Sequence, residues 1–335
     1  MARGEKGVSP HVETERLSKE EADGLAATVS GVVDNVGRVM VGKRHVTELV
    51  LVALLCEGNV LLEDVPGVGK TVLAKAVARS LGCGFQRIQC TPDLLPSDVT
   101  GIQFYDQATG RFEFHPGPIM ANIVLVDEIN RATPRTQSAL LEAMQERQVT
   151  VDMETVMLPR PFMLMATQNP IELEGTFPLP EAQLDRFLLR LEVGYPSEAE
   201  EGTLLSRFQE QNPLDTLVAI TNASELLRLQ ALCRRVYVDA SVRDYVVSLT
   251  RATRAHADVK LGASPRASLG LHQAAQTLAG IRGRAYVLPD DVKYLAVPPL
   301  AHRLIAKTEA RLRGHAAADI VREVLESVPV PVEGM

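Results

Sequence analysis

Three stretches of the chain carry residue types and spacings suited to chemistry on a nucleoside triphosphate. The first is Asp64-Val65-Pro66-Gly67-Val68-Gly69-Lys70-Thr71. It follows the short apolar run Asn59–Glu63 and opens a helical pattern over Thr71–Leu81, so it reads as strand, turn, helix. Gly67 and Gly69 allow the backbone to aim successive N–H groups inward, and the helix presents its positive end to an anion. Lys70 would then reach the β- and γ-phosphates, while the Thr71 hydroxyl would ligate Mg2+. Val65, Pro66, Gly67, Val68, Gly69, Lys70, Thr71 and Val72 are the expected ATP cradle. Asp64 stands where such loops usually begin with glycine, which is tolerable if its side chain lies outside the cradle.

The second stretch, Ile123-Val124-Leu125-Val126-Asp127-Glu128, is an apolar strand ending in two carboxylates. Asp127 is suited to holding Mg2+ through its water shell, and Glu128 to orienting and deprotonating an attacking water. Alone, such a run could equally be an ordinary strand edge; downstream of a phosphate loop it becomes specific. The third stretch, Ala166-Thr167-Gln168-Asn169-Pro170, offers Asn169 as a hydrogen-bonding partner for the water or the γ-phosphate. Asn-Pro is also a good turn starter, and both readings stay open.

These groups need a scaffold that brings strand ends together. Apolar runs at Asn59–Glu63, Phe85–Cys90, Ile123–Val126, Phe162–Ala166 and Phe187–Val193, separated by helical segments such as Thr71–Leu81 and Pro134–Glu146, predict a parallel sheet with helices on both faces. Ahead of it, amphipathic helices are expected over Ser18–Met40 and about Lys43–Glu57, preceded by a disordered tail at 1–14. Two β-hairpins, Gly101–Pro116 and Gln148–Leu158, interrupt the alternation; they add nothing obvious to a core and are candidate contact elements. At Gly194-Tyr195-Pro196-Ser197 the pattern changes, and only helical segments follow: about 197–211, 222–236, 240–258, 265–282, 290–304 and 317–325. The expected division is a nucleotide-binding core over 15–195 and an all-helical domain over 196–335.

Composition narrows the function classes. Of 335 residues, 46% are hydrophobic and 23% charged, an ordinary globular balance. A formal net charge of −7 disfavours a dedicated nucleic-acid binder. Cys56, Cys83, Cys90 and Cys233 show no paired spacing and read as small buried hydrophobes. No apolar run is long enough to span a bilayer and no secretory signal opens the chain, so a cytoplasmic location without membrane insertion is expected.

In combination the motifs resemble the MoxR family of AAA+ ATPases. The likeness rests on Leu61 to Thr71, Asp127-Glu128-Ile129-Asn130-Arg131-Ala132, Ala166 to Pro170, Pro180-Glu181-Ala182-Gln183-Leu184-Asp185-Arg186-Phe187 and the Glu142-Ala143-Met144-Gln145-Glu146 helix end, and covers about residues 20–330. It implies a P-loop core with a five-stranded parallel sheet, a C-terminal helical lid and a homo-oligomeric ring, expected as a hexamer. It implies that Asn169 is the sensor-1 residue, Arg186 the arginine finger acting on a neighbour's ATP, Arg266 the sensor-2 residue, and Val41-Gly42 the segment packed against adenine. Without the resemblance, Arg186 reads as a salt-bridge partner of Asp185 or Glu181, and Arg131 and Arg135 compete for the finger role.

The resemblance further implies an ATP-driven chaperone that remodels or activates a protein client, often one bearing a von Willebrand factor type A domain. Two other classes stay in view. A nucleic-acid-dependent motor is disfavoured by the acidic balance and the lack of a basic run on either hairpin. A nucleotide switch without productive hydrolysis is disfavoured by Glu128, because a pure binder needs no water-activating carboxylate.

Overall fold

The computed structural model describes residues 16–151, 154–170, 175–210 and 212–331. The tail expected at 1–14 lies outside them. In chain order, β1 (Val60–Glu63) and β2 (Phe85–Gln89) are followed by a hairpin of β3 (Gly101–Asp106) and β4 (Arg111–Pro116). Then come β5 (Ile123–Asp127), a second hairpin of β6 (Gln148–Val151) and β7 (Glu154–Met157), β8 (Met163–Gln168) and β9 (Leu189–Leu191). Helices α1 (Lys19–Gly37) and α2 (Arg44–Leu55) precede β1, α3 (Lys70–Ser80) follows it, and α4 (Pro96–Thr100), α5 (Pro134–Glu146) and α6 (Glu181–Leu184) join the later strands.

Five strands form one sheet in the order β2-β5-β8-β1-β9, with every pair parallel. The apolar runs are continuous because both sheet faces are covered. Val60, Leu62, Ile123, Leu125, Met163 and Met165 face one hydrophobic cluster, while Leu61, Val124, Val126, Leu164 and Ala166 face another. This is the period-two alternation of a strand buried on both sides. Each such Val, Leu, Ile or Met side chain contributes about 1.5–3 kcal/mol by leaving water. The first cluster also takes in α1, α2 and α3. Helix α1 is started by a capping box, in which Glu21 N–H donates to Ser18 Oγ (3.2 Å) and Ser18 N–H donates to the Glu21 carboxylate (2.9 Å).

Beyond β9 the chain continues through α7 (Glu198–Glu210), α8 (Ala223–Cys233), α9 (Ala240–Ala255), α10 (Pro265–Ile281), α11 (Pro289–Leu295), α12 (Val297–Leu300), α13 (Thr308–Leu312) and α14 (Ala317–Ser327). It is not purely helical. β10 (Val259–Leu261) and β11 (Ile305–Ala306) pair antiparallel, each too short to leave a period-two signature in the sequence. The single helix expected over 290–304 is divided into α11, α12 and a 3-10 turn at Ala301–Arg303. Pro298 and Pro299 have no N–H to continue a ladder and are accommodated in the first turn of the new helix. Helices α10 and α8 pack against α1 and α2, so the same hydrophobic cluster runs from the sheet into the C-terminal helices.

Both expected hairpins form, but they differ in character. In the first, Phe104 and Phe112 are 55% and 69% exposed and project from the core, while Phe114 packs against it. In the second, Val149 and Val151 are buried in the cluster beneath α5, which corrects the expectation that this hairpin adds nothing to the core. A hydrogen bond from Gln103 Nε2 to the Glu154 carboxylate (2.9 Å) ties the two together. Cys90 and Cys233 are buried and Cys56 and Cys83 half-buried; burial pushes the Cys56 and Cys233 thiols up to about 12, so they stay protonated. Among the described residues no helix is long and apolar enough to cross a membrane.

Candidate active site

A cavity of about 290 Å³ lies where β1, β5 and β8 end, lined by Pro66, Gly67, Gly69, Lys70, Thr71, Val72, Asp127, Glu128, Thr167 and Asn169. Parallel strands place their C-terminal ends along one sheet edge, so three stretches far apart in sequence deliver side chains to one crevice. Gly67 and Gly69 have φ of +86° and +91°, the left-handed backbone the turn requires, and α3 begins immediately afterwards at Lys70. Val65 and Val68 belong to the same loop but do not line the cavity; Val68 packs against the hydrophobic cluster instead.

The Asp64 carboxylate is hydrogen-bonded through both of its oxygens. Its Oδ1 accepts Val65 N–H (2.8 Å) and its Oδ2 accepts Gly194 N–H (2.6 Å), which turns the carboxylate toward the chain segment after β9. Lys70 Nζ donates to the Asp64 carbonyl (2.7 Å), holding the amine across its own loop. Burial pushes the Lys70 amine below its ordinary value, against the pull of the Asp64, Asp127 and Glu128 carboxylates. Lys70→Ala is expected to weaken nucleotide binding on the order of a hundredfold, read by titration with a fluorescent ADP analogue. Unchanged affinity would remove the phosphate-loop assignment.

The two carboxylates are held differently. Asp127 Oδ1 accepts the Thr167 hydroxyl (2.6 Å), while the Thr167 oxygen accepts Glu128 N–H (2.8 Å). Thr167 is buried and couples the end of β8 to both acids; its role was not legible from a threonine inside an apolar run. Glu128 has φ 56° and ψ 52°, a left-handed conformation uncommon for glutamate, which swings its side chain off the strand line. Its Oε2 accepts from Arg131 Nη1 (3.2 Å) and Gln89 Nε2 (3.4 Å). Arg131 is thus engaged with its own chain's Glu128. Asn169 is buried and lines the cavity beside Thr167.

The remaining expected residues lie elsewhere. Arg186 and Arg266 share a second cavity of about 280 Å³ with Arg147, Gln145 and Gln273, and neither lines the phosphate-loop cavity. The partners of Asp185 are Arg303 (2.7 Å), the Ser264 hydroxyl (3.1 Å) and, more distantly, Arg266 (3.9 Å), not Arg186. Arg303 is buried and donates to the carbonyls of Asp185 (3.0 Å) and Phe187 (2.6 Å), so it fixes the backbone on either side of Arg186. No motif in the sequence marks Arg303. The Met40 side chain lies against Gly69, but neither Val41 nor Gly42 lines the phosphate-loop cavity. Gly42 lines a separate cavity of about 490 Å³ with His45 and Tyr294. Its φ is +74°, and a Cβ there would collide with the Glu200 carboxylate.

Comparison with known proteins identifies the family and matches the fold. Residues 59–189 match the model of the ATPase family associated with various cellular activities (AAA), and residues 251–324 match that of the AAA lid domain. The uncharacterised protein YeaC of Bacillus subtilis is 54% identical, the match covering 90% of this chain and 94% of that protein. Chaperone MoxR1 of Mycobacterium tuberculosis is 45% identical, with 92% and 85% covered. A crystal structure of a candidate ATPase from Cytophaga hutchinsonii superposes with a TM-score of 0.88 at 37% identity, covering 94% of this chain and 98% of that one. With relatives of this likeness over nearly its whole length, the chain belongs to the MoxR family of AAA+ ATPases.

Proposed function

We propose that this chain hydrolyses ATP to ADP and phosphate and uses the cycle to remodel or activate a protein client. The observation that carries the proposal is the convergence of Lys70, Thr71, Asp127, Glu128 and Asn169 on one cavity. The Thr71 hydroxyl and the Asp127 carboxylate are hard oxygen donors of the kind Mg2+ prefers, and they would hold it there. Mg2+ so held supplies charge neutralisation at the phosphate oxygens. Lys70 binds the β- and γ-phosphates. Asn169 orients the water, and Glu128 takes its proton as the water oxygen bonds to the γ-phosphorus and the bond to the β-phosphate oxygen breaks.

The position of Arg186 away from its own phosphate-loop cavity supports a ring assembly, read here as a hexamer, while Arg266 is read as the sensor-2 residue that a lid helix carries toward the γ-phosphate. An arginine outside its own phosphate-loop cavity suits a neighbour's γ-phosphate, where fixed charge stabilises the transition state in trans. In this reading residues 196–335 act as a lid on a 15–195 core and shift with the nucleotide state. The exposed aromatics of the β3–β4 hairpin suit contact with a protein client, taken to carry a von Willebrand factor type A domain, in the cytoplasm. MoxR1 of M. tuberculosis, which shares most of this chain's length, is named a chaperone. The test is steady-state ATP turnover of the full chain with a von Willebrand factor type A protein, single-stranded DNA or RNA added in turn. Stimulation by the protein alone supports the proposal; stimulation by nucleic acid alone would replace it with the motor reading.

A further inference from the structure

Asp127 already carries a cation from its own chain. Arg87, on edge strand β2, donates to Asp127 Oδ2 through both Nε (3.0 Å) and Nη2 (2.6 Å). The register that pairs Gln89 with Asp127 and Arg87 with Leu125 places Arg87 and Gln89 on the strand face that Asp127 shares. A carboxylate oxygen offers two lone-pair directions, and Arg87 fills both on Oδ2 while Thr167 takes one on Oδ1. Asp127 is only 13% exposed and adjoins Glu128, so a counter-charge there matters. Arg87 itself is 45% exposed, on the edge strand of the sheet.

We infer that Arg87 is a tethered stand-in for the divalent cation: it neutralises Asp127 while no metal is bound and leaves Oδ2 when the metal–nucleotide complex arrives. The inference rests on the Mg2+–nucleotide reading of the cavity. Two cations held by one carboxylate repel each other, so Arg87 on Oδ2 and a metal drawn to Asp127 compete. Arg87 is therefore a positioning residue that sets how strongly nucleotide binding depends on Mg2+. Metal-free nucleotide benefits from Arg87, because Asp127 would otherwise repel the phosphates; metal-bound nucleotide works against it.

The test is the dissociation constant of a fluorescent ADP analogue, measured in excess EDTA and in saturating Mg2+, on the full chain. In Arg87→Ala the ratio of the EDTA value to the Mg2+ value should rise about fivefold over the unaltered protein. Arg87→Met, which keeps the aliphatic stem on the edge strand, serves where the alanine variant does not fold, with thermal unfolding as the check. A ratio unchanged in the folded variant, or both constants moving by the same factor, would overturn the inference and leave Arg87 a structural ion pair. Absence of saturable binding by the unaltered protein in Mg2+ would instead overturn the nucleotide reading itself.

Discussion

Replacing Glu128 by glutamine should leave ADP and ATP binding nearly intact while lowering ATP turnover by about 10²–10⁴-fold. The amide keeps the size of the side chain and retains an oxygen for Arg131 and Gln89, but it has no carboxylate to receive the water's proton. The left-handed backbone at Glu128 and the Thr167 contact to its N–H do not depend on the side chain, so the site should keep its shape. Binding is read with a fluorescent nucleotide and turnover by phosphate release. Turnover within tenfold of the unaltered protein would mean that another group takes the proton.

The second large effect is expected at Arg186. Arg186→Ala should reduce turnover by about 10³-fold or more, the range in which trans-acting arginines operate, without a matching loss of nucleotide affinity. The two effects can be combined to ask where Arg186 acts. A mixture of Arg186→Ala and Glu128→Gln chains contains interfaces with an intact Glu128 on one side and an intact Arg186 on the other. Trans action predicts that the mixture regains activity neither variant has alone; a mixture no more active than its components places Arg186 on its own chain's nucleotide. Arg131 makes a poorer finger, because its guanidinium already pairs with Glu128 of the same chain.

Much of the fold was legible because its signals are local. The five sheet runs, the phosphate loop and both hairpins each declare themselves within about sixteen residues or fewer, where side-chain period and turn residues carry the information. What escaped detection was short or internally contradictory. β10 and β11 span three and two residues. The proline pair that divides the helix expected over 290–304 also fits a first helical turn. The second hairpin was misjudged because alternation shows that one face is apolar but not what it faces; the cluster under α5 supplies the answer.

The sequence by itself determined the chemistry available: an amine and a hydroxyl opening α3, two acids ending β5, and an amide after β8. These follow from residue type and near neighbours, since strand, loop and helix are specified within a few positions of each group. Tertiary structure alone decided the company each group keeps. Asp64 turns to Gly194. Thr167 bridges the two acids, Arg87 crosses from the edge strand to Asp127, and Arg303 fixes the backbone around Arg186. Such pairings join residues tens to more than a hundred positions apart. They arise only when strand order and helix packing bring the partners within hydrogen-bond reach, and no local pattern encodes that distance.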